Sequence, residues 1–242
     1  MSTTQLIVIA IAVFVAAFAQ IIVGFGFGLL SMPIMTLVVP VSRAVVVSTL
    51  LGMMTTAWQT WHLRGDADRP LVTRLSVAAF AGMPLGLWIL NVVTDRALRL
   101  TLGISILTAT ALLIAHIDLH HVGRGFDVVT GFVSGVLNTS LSTNGPPLAF
   151  NLQARQLPPH RFRATISSVF FLSNIVGLTL FILDGRITRG GLNAAAIAVP
   201  AWLGGQLLGW PVRTRLNSDH FRRLVVALLA LAGATTIVFA IV

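Results

Sequence analysis

Apolar runs of about twenty residues, most of them free of charge, partition this chain and leave it few ways to fold in water. They are Leu6 to Val39, Ala44 to Leu63, Leu71 to Val93, Ala97 to Ala115, Val128 to Leu152, Ala164 to Leu183, Leu192 to Val212 and Leu224 to Val242. A helix needs roughly 20 apolar residues to cross the hydrocarbon core. An open sheet cannot pair its backbone in lipid, and these runs are too long for barrel strands. The expected fold is therefore an all-α polytopic membrane protein.

Composition closes the other routes. Only 10% of the 242 residues are charged, against 56% hydrophobic, whereas a soluble domain carries roughly 25% charge. A soluble enzyme is not expected. The net charge of +9 comes from arginine alone, with no lysine, and the acids are all aspartate. Those arginines are scattered between apolar runs and form no stripe, so nucleic acid is not an expected partner. Absence of cysteine rules out disulfides, thiol catalysis and iron–sulfur clusters. No P-loop, H-E-x-x-H or paired acid is present, so no catalytic residue and no cofactor is expected. His120 and His121 are adjacent but lack companion ligands for a metal. The opening MSTTQLIV has no basic n-region, so the first apolar run is expected to stay as a membrane span.

The runs fall into two groups of four and look duplicated. Residues 1–115 form a first repeat, 116–127 a connection and 128–242 a second repeat. Ala44-Val-Val-Val-Ser-Thr matches Ala164-Thr-Ile-Ser-Ser-Val. Gly82, Gly86 and Arg99 meet Gly205, Gly209 and Arg222 at a constant offset of 123. Transporters are commonly built from such repeats. The first run of each group is too long and too interrupted for one straight helix. Its break is Gly24-Phe-Gly-Phe-Gly28 with Pro33 behind it in one group, and Asn138 to Pro147 in the other. Glycine and proline free backbone from the helix, which is tolerated at membrane depth only against protein or a water-filled cavity. Each broken run either counts as one crossing, giving eight and parallel repeats, or crosses twice, giving ten and inverted repeats. The arginines then divide ten to six or eleven to five. Both divisions put the richer face in the cytoplasm and both termini outside.

A helix that starts inside the membrane points free N–H groups and partial positive charge at its surroundings, a ready anion site. Gly24, Gly26 and Gly28 let backbone approach a ligand closely. Asn138, Thr139, Ser140, Ser142, Thr143, Asn144 and Gly145 add donors, and Asn174 lies mid-run in the sixth block. Pro33, Pro146 and Pro147 are expected to fix the breaks. Gln20, Thr55, Thr56, Gln59 and Gln206 are read as interhelical hydrogen-bond partners before ligand contacts. Arg43, Arg161 and Arg163 follow the broken segments, as interfacial anchors or as groups that draw an anion inward.

At these segments, Gly24-Phe-Gly-Phe-Gly-Leu-Leu-Ser-Met-Pro33 and Gly135-Val-Leu-Asn-Thr-Ser-Leu-Ser-Thr-Asn-Gly-Pro-Pro147, the chain resembles the TauE/SafE sulfite and sulfonate exporters of prokaryotic inner membranes. The resemblance spans nearly the whole chain. Ser142, Thr143 and Asn144 depart from the resemblance, occupying space that is usually richer in glycine. It implies export of a small sulfur oxyanion such as sulfite, sulfoacetate or another organosulfonate. The expected function is thus a secondary transporter of a small anion, working by alternating access in the cell's inner membrane. Protons or sodium are the coupling ions to consider, and small-residue faces allow a homodimer. The rival functions are a channel-like permease for another small solute and a non-transporting assembly factor or receptor.

Overall fold

The computed structural model describes residues 1–115, 123–215 and 218–241; the His120–His121 pair lies outside them. Every element among the described residues is a helix, and no strand occurs there. The first helix, α1 (Thr3–Val23), is started by a capping box. The Ser2 hydroxyl accepts from the Gln5 N–H, and the Gln5 amide oxygen accepts from the Ser2 N–H. It stops at Gly24, whose φ of 96° is left-handed, and Gly26 repeats that conformation at 103° just before α2 (Phe27–Thr36). Beyond α2, the Val38 carbonyl accepts from Gln5 Nε2 at 2.8 Å. The chain has therefore turned back to the level at which α1 began.

The second broken run does the same. Helix α6 (Arg124–Leu141) ends at Ser142, again left-handed with φ 54°, and α7 (Gly145–Ala154) returns alongside it. Arg155, just past α7, meets Asp127 in the first turn of α6 at 2.5 Å, and Asn151 donates to the same carboxylate at 2.9 Å. Phe126 and Phe150 stack edge to face beside them. The first turn of α6 lies in the stretch that hydropathy assigned to the connection. Its charged residues make it helical all the same, because Asp127 is favoured near a helix N-terminus and closes the hairpin.

Each broken run is thus a helical hairpin, the geometry of the ten-segment arrangement. The remaining helices are α3 (Val41–Leu63), α4 (Arg69–Val92), α5 (Asp95–Ala115), α8 (Pro159–Leu183), α9 (Arg189–Arg215) and α10 (Ser218–Ile241). Among the described residues, five helices are long and apolar enough to cross a membrane: Thr3–Ile22, Val41–Leu63, Arg69–Val92, Pro159–Leu183 and Arg189–Pro211.

Contacts fix which ends lie together. Val41 N–H donates to Asp95, Arg99 donates to the Thr36 and Val39 carbonyls, Asn91 donates to Asp184, and Arg96 donates to the Ile241 carbonyl. These gather the start of α1 and the ends of α2, α4, α8 and α10 at one end of the bundle. At the other end, Asp68 N–H donates to Thr165, and Arg74 meets Asp127 at 3.0 Å. The first hairpin opens on the first end and the second on the opposite end. The sequence positions of Arg43, Arg96, Arg99, Arg186 and Arg189 fall at the first end, and the other eleven lie toward the second.

Packing between the halves is reciprocal: α4 lies along α6, α1 along α9, α3 along α8 and α5 along α10. Small residues let the first two pairs close up. A Cβ on Gly82 or Gly86 would overlap the Phe132 or Val136 carbonyl of α6, and one on Gly205 would press on the Phe14 carbonyl of α1. Gly82→Ala is expected to destabilise the protein by about 1–3 kcal/mol, the usual cost of overpacking. The check is the melting temperature in detergent, and an unchanged value would mean that α4 and α6 can separate freely.

Candidate functional site

The tips of the two hairpins meet inside the bundle. At Gly28 the place of a Cβ is occupied by the Ser142 carbonyl oxygen, and at Gly145 a Cβ would lie 3.4 Å from the Phe25 ring. Helices α2 and α7 both begin at this junction, so both direct their N-terminal ends at it. Between them is a cavity lined by Gln20 and Gly26 to Leu29 of the first hairpin and Ser142 to Gly145 of the second. Ser48, Gly52 and Thr56 of α3 and Phe170 and Asn174 of α8 complete the wall. Its volume is ≈ 30 Å³, on a scale where one water needs roughly 10–15 Å³. It therefore has room for a few atoms.

The donors at this cavity have distinct origins. Gly26 caps α2 without any side-chain bond, leaving the N–H groups of its first turn to the cavity. In α7 the first turn holds Pro146 and Pro147, which carry no N–H. There the side chains substitute: Thr143 Oγ1 and Asn144 Nδ2 are buried and have no protein partner. Gln20 Oε1 is likewise buried and unpaired. Buried polar groups of this kind are costly unless something binds them.

Helices α1 and α6 also end here, and their C-terminal carbonyls would oppose an anion. Several of those carbonyls are already occupied. Arg163 lies against Gly24 and donates to the Ile22 carbonyl at 3.2 Å. The Asn138 and Leu137 carbonyls of α6 accept from the N–H groups of Ser142 and Thr143 at 3.0 and 3.2 Å. These bonds offset part of the opposing field, while the two helix starts face the cavity.

A hydroxyl cluster closes one wall. Ser48 is bonded to Ser31 at 3.2 Å and to Ser142 at 3.1 Å, and Thr49 lies 3.4 Å from Ser142. On another wall, Asn138 donates to Asn174, which donates to Thr56, each at 3.4 Å.

The structure brings together seven of the residues read from sequence as ligand contacts, Gly26, Gly28, Ser142, Thr143, Asn144, Gly145 and Asn174, and adds Gln20 and Thr56, read from sequence first as interhelical partners. Others lie elsewhere. Thr139 donates to the Met83 carbonyl at 2.7 Å and Ser140 to the Val136 carbonyl at 2.6 Å, so neither hydroxyl is offered to a ligand. Asn138 stands behind Asn174, and Gly24 lies under Arg163. Pro33 is inside α2 and does not make the break; Gly24 and Gly26 do, through their left-handed dihedrals. Pro146 and Pro147 sit in the first turn of α7, where proline fits a helix. Arg43 is at the opposite end of the bundle from Arg161 and Arg163, so the three form no common funnel. Thr55 accepts from Trp202 and Gln206, and Gln59 accepts from Ser167, as interhelical partners. Sequence reasoning passed over Ser48, Gly52, Phe27 and Phe170. A signal for the first two exists: Ser48, Gly52 and Thr56 recur every fourth residue, a small polar stripe on one face of α3.

Residues 9–236 match the family model described as sulfite exporter TauE/SafE. A protein of Cupriavidus necator named a probable sulfite/organosulfonate exporter TauE is 26% identical, covering 92% of this chain and 90% of its own length. No solved structure matches the chain. With the family model spanning almost the full sequence, the chain belongs to the sulfite exporter TauE/SafE family of membrane transporters.

Proposed function

We propose that this protein exports a small sulfur oxyanion, sulfite or an organosulfonate, across the plasma membrane by alternating access. The observation that carries the reading is the cavity at which two helix N-termini converge with the unpaired donors of Thr143 and Asn144. A sulfur oxyanion presents several acceptor oxygens in a small volume and needs donors from more than one side, with no carboxylate among them. The name of the Cupriavidus necator relative supports the same substrate class.

The halves 1–115 and 128–242 act in this reading as inverted repeats, each contributing one hairpin to a shared central site. Their reciprocal packing gives two similar glycine-lined contacts, α4 on α6 and α1 on α9, along which each hairpin can rock against a long helix of the opposite half. The arginine-rich end faces the cytoplasm, leaving both termini outside.

The test is ligand-dependent stabilisation of the purified protein. Sulfite and methanesulfonate are expected to raise the melting temperature, since they bind only the folded form, while acetate does not. Thr143→Ala with Asn144→Ala removes two donors. Hydrogen bonds to a charged group contribute about 1.5–3 kcal/mol each, so affinity should fall at least about a hundredfold with the fold intact. Equal shifts in the double variant and the natural protein would exclude this cavity as the binding site.

A further inference from the structure

The cavity wall is electrically neutral throughout. Every side chain that lines it is an amide, a hydroxyl, an aromatic ring, an aliphatic group or a glycine hydrogen. Among the described residues, the one buried carboxylate is Asp127. It lies at the open end of the second hairpin, away from the tips, with Arg74, Arg155 and Asn151 on its oxygens. The charge packed against the tip end of α1 is the guanidinium of Arg163, which donates to the Ile22 carbonyl. No group at the cavity can therefore pick up a proton when the anion leaves. A hard cation would need several oxygen ligands, yet the unpaired atoms on the wall are one amide nitrogen, of Asn144, and only two oxygens, the Thr143 hydroxyl and the Gln20 amide oxygen. The Ser31, Ser48, Thr49 and Ser142 hydroxyls are already bonded to one another.

From this wall chemistry, and resting on the anion-transport reading above, we infer that the anion crosses alone: transport is an electrogenic uniport with no coupled proton or sodium. The substrate is then the only charge that moves. An inside-negative membrane potential pushes a monoanion outward with a bias of about fiftyfold per 100 mV. Export follows from the potential itself, whichever way the protein is inserted.

The experiment uses the full chain in proteoliposomes with radiolabelled methanesulfonate, which stays singly ionised across the working pH range. A potassium diffusion potential is set with valinomycin at equal pH and without sodium. Flux should follow the potential, reverse when its sign is reversed, and stay unchanged when a pH or sodium gradient is imposed at clamped potential. Accumulation driven by a pH gradient at zero potential, or flux that requires sodium, overturns the uniport while leaving the anion-transport reading standing. No flux of methanesulfonate or sulfite in any arm overturns both.

Gln20→Glu supplies a second readout. It places one titratable carboxyl on the wall, and its ionised form repels the substrate. Flux through the natural protein should be flat with pH. In the variant it should fall at least tenfold as pH rises through the titration of the new carboxyl, and recover on return to acid. A variant as indifferent to pH as the natural protein would show that the moving charge does not pass this wall.

Discussion

A single methyl group at Gly28 is expected to stop transport. In Gly28→Ala the new carbon falls on the Ser142 carbonyl oxygen, so backbone meets backbone where the two hairpin tips touch. No flexible side chain can yield there. The tips must move apart, carrying the start of α2 away from Thr143 and Asn144. Losing two or more hydrogen bonds to a charged ligand, at about 1.5–3 kcal/mol each, predicts a fall in anion affinity beyond a hundredfold. Efflux of labelled sulfite from vesicles checks it, with Gly65→Ala as the control, because Gly65 has open space around its Cβ position. Wild-type flux in Gly28→Ala would mean that the tips are not in contact while the anion is bound.

The sequence announces that these tips exist, and the reason is physical. Lipid tolerates broken helices only where something satisfies the freed backbone, so Gly24 to Gly28 and Asn138 to Pro147 stand out inside apolar runs. The all-helical class is legible for the same reason. Direction is not, since hydropathy carries no sign. Two contacts were needed to show that each broken run returns to its starting end: Gln5 with the Val38 carbonyl, and Arg155 with Asp127. The first is a glutamine to a backbone atom 33 residues away, which no periodicity encodes.

Asn138, Thr139 and Ser140 show a different limit. Counting donors in a stretch does not say where they point. Successive residues of a helix turn by about 100°, so these neighbours face three surroundings: Asn174 on α8, the Met83 carbonyl of α4, and the carbonyl of Val136 on their own helix. Past the end of α6 that rotation stops, and Ser142 to Gly145 can all reach the cavity. The stripe on α3 was hidden for the opposite reason. Ser48, Gly52 and Thr56 are spread over a run dominated by valine, leucine and methionine, and only the bound hydroxyl of Ser142 marks the side on which they matter.

Asp127→Ala is expected to cost more stability than any other single change at the open ends of the hairpins. Its carboxylate is fully buried, with Arg74 at 3.0 Å, Arg155 at 2.5 Å and Asn151 at 2.9 Å. Removing one partner of a buried ion pair costs about 3–5 kcal/mol, and the lower bound applies here because Arg74 and Arg155 keep 36% and 23% of their side-chain surface exposed to regain water. At roughly 2–4 °C per kcal/mol for a chain of this size, the melting temperature should drop by about 10 °C. Asp127→Asn keeps an acceptor for Arg155 or Asn151 and loses the charge, so it should fall between the two. The site of the damage is also specified. Asp127 is what ties the end of α7 to the start of α6, so amide exchange should rise at residues 151–156 well before it rises at the hairpin tip. Exchange that rises uniformly along α6 and α7, or a melting temperature within 2 °C of the natural protein on that same scale, would mean that the hairpin is closed by its apolar faces and that the carboxylate is dispensable. The distinction bears on transport, because the second hairpin can present Thr143 and Asn144 as a rigid lever only if its far end is fixed.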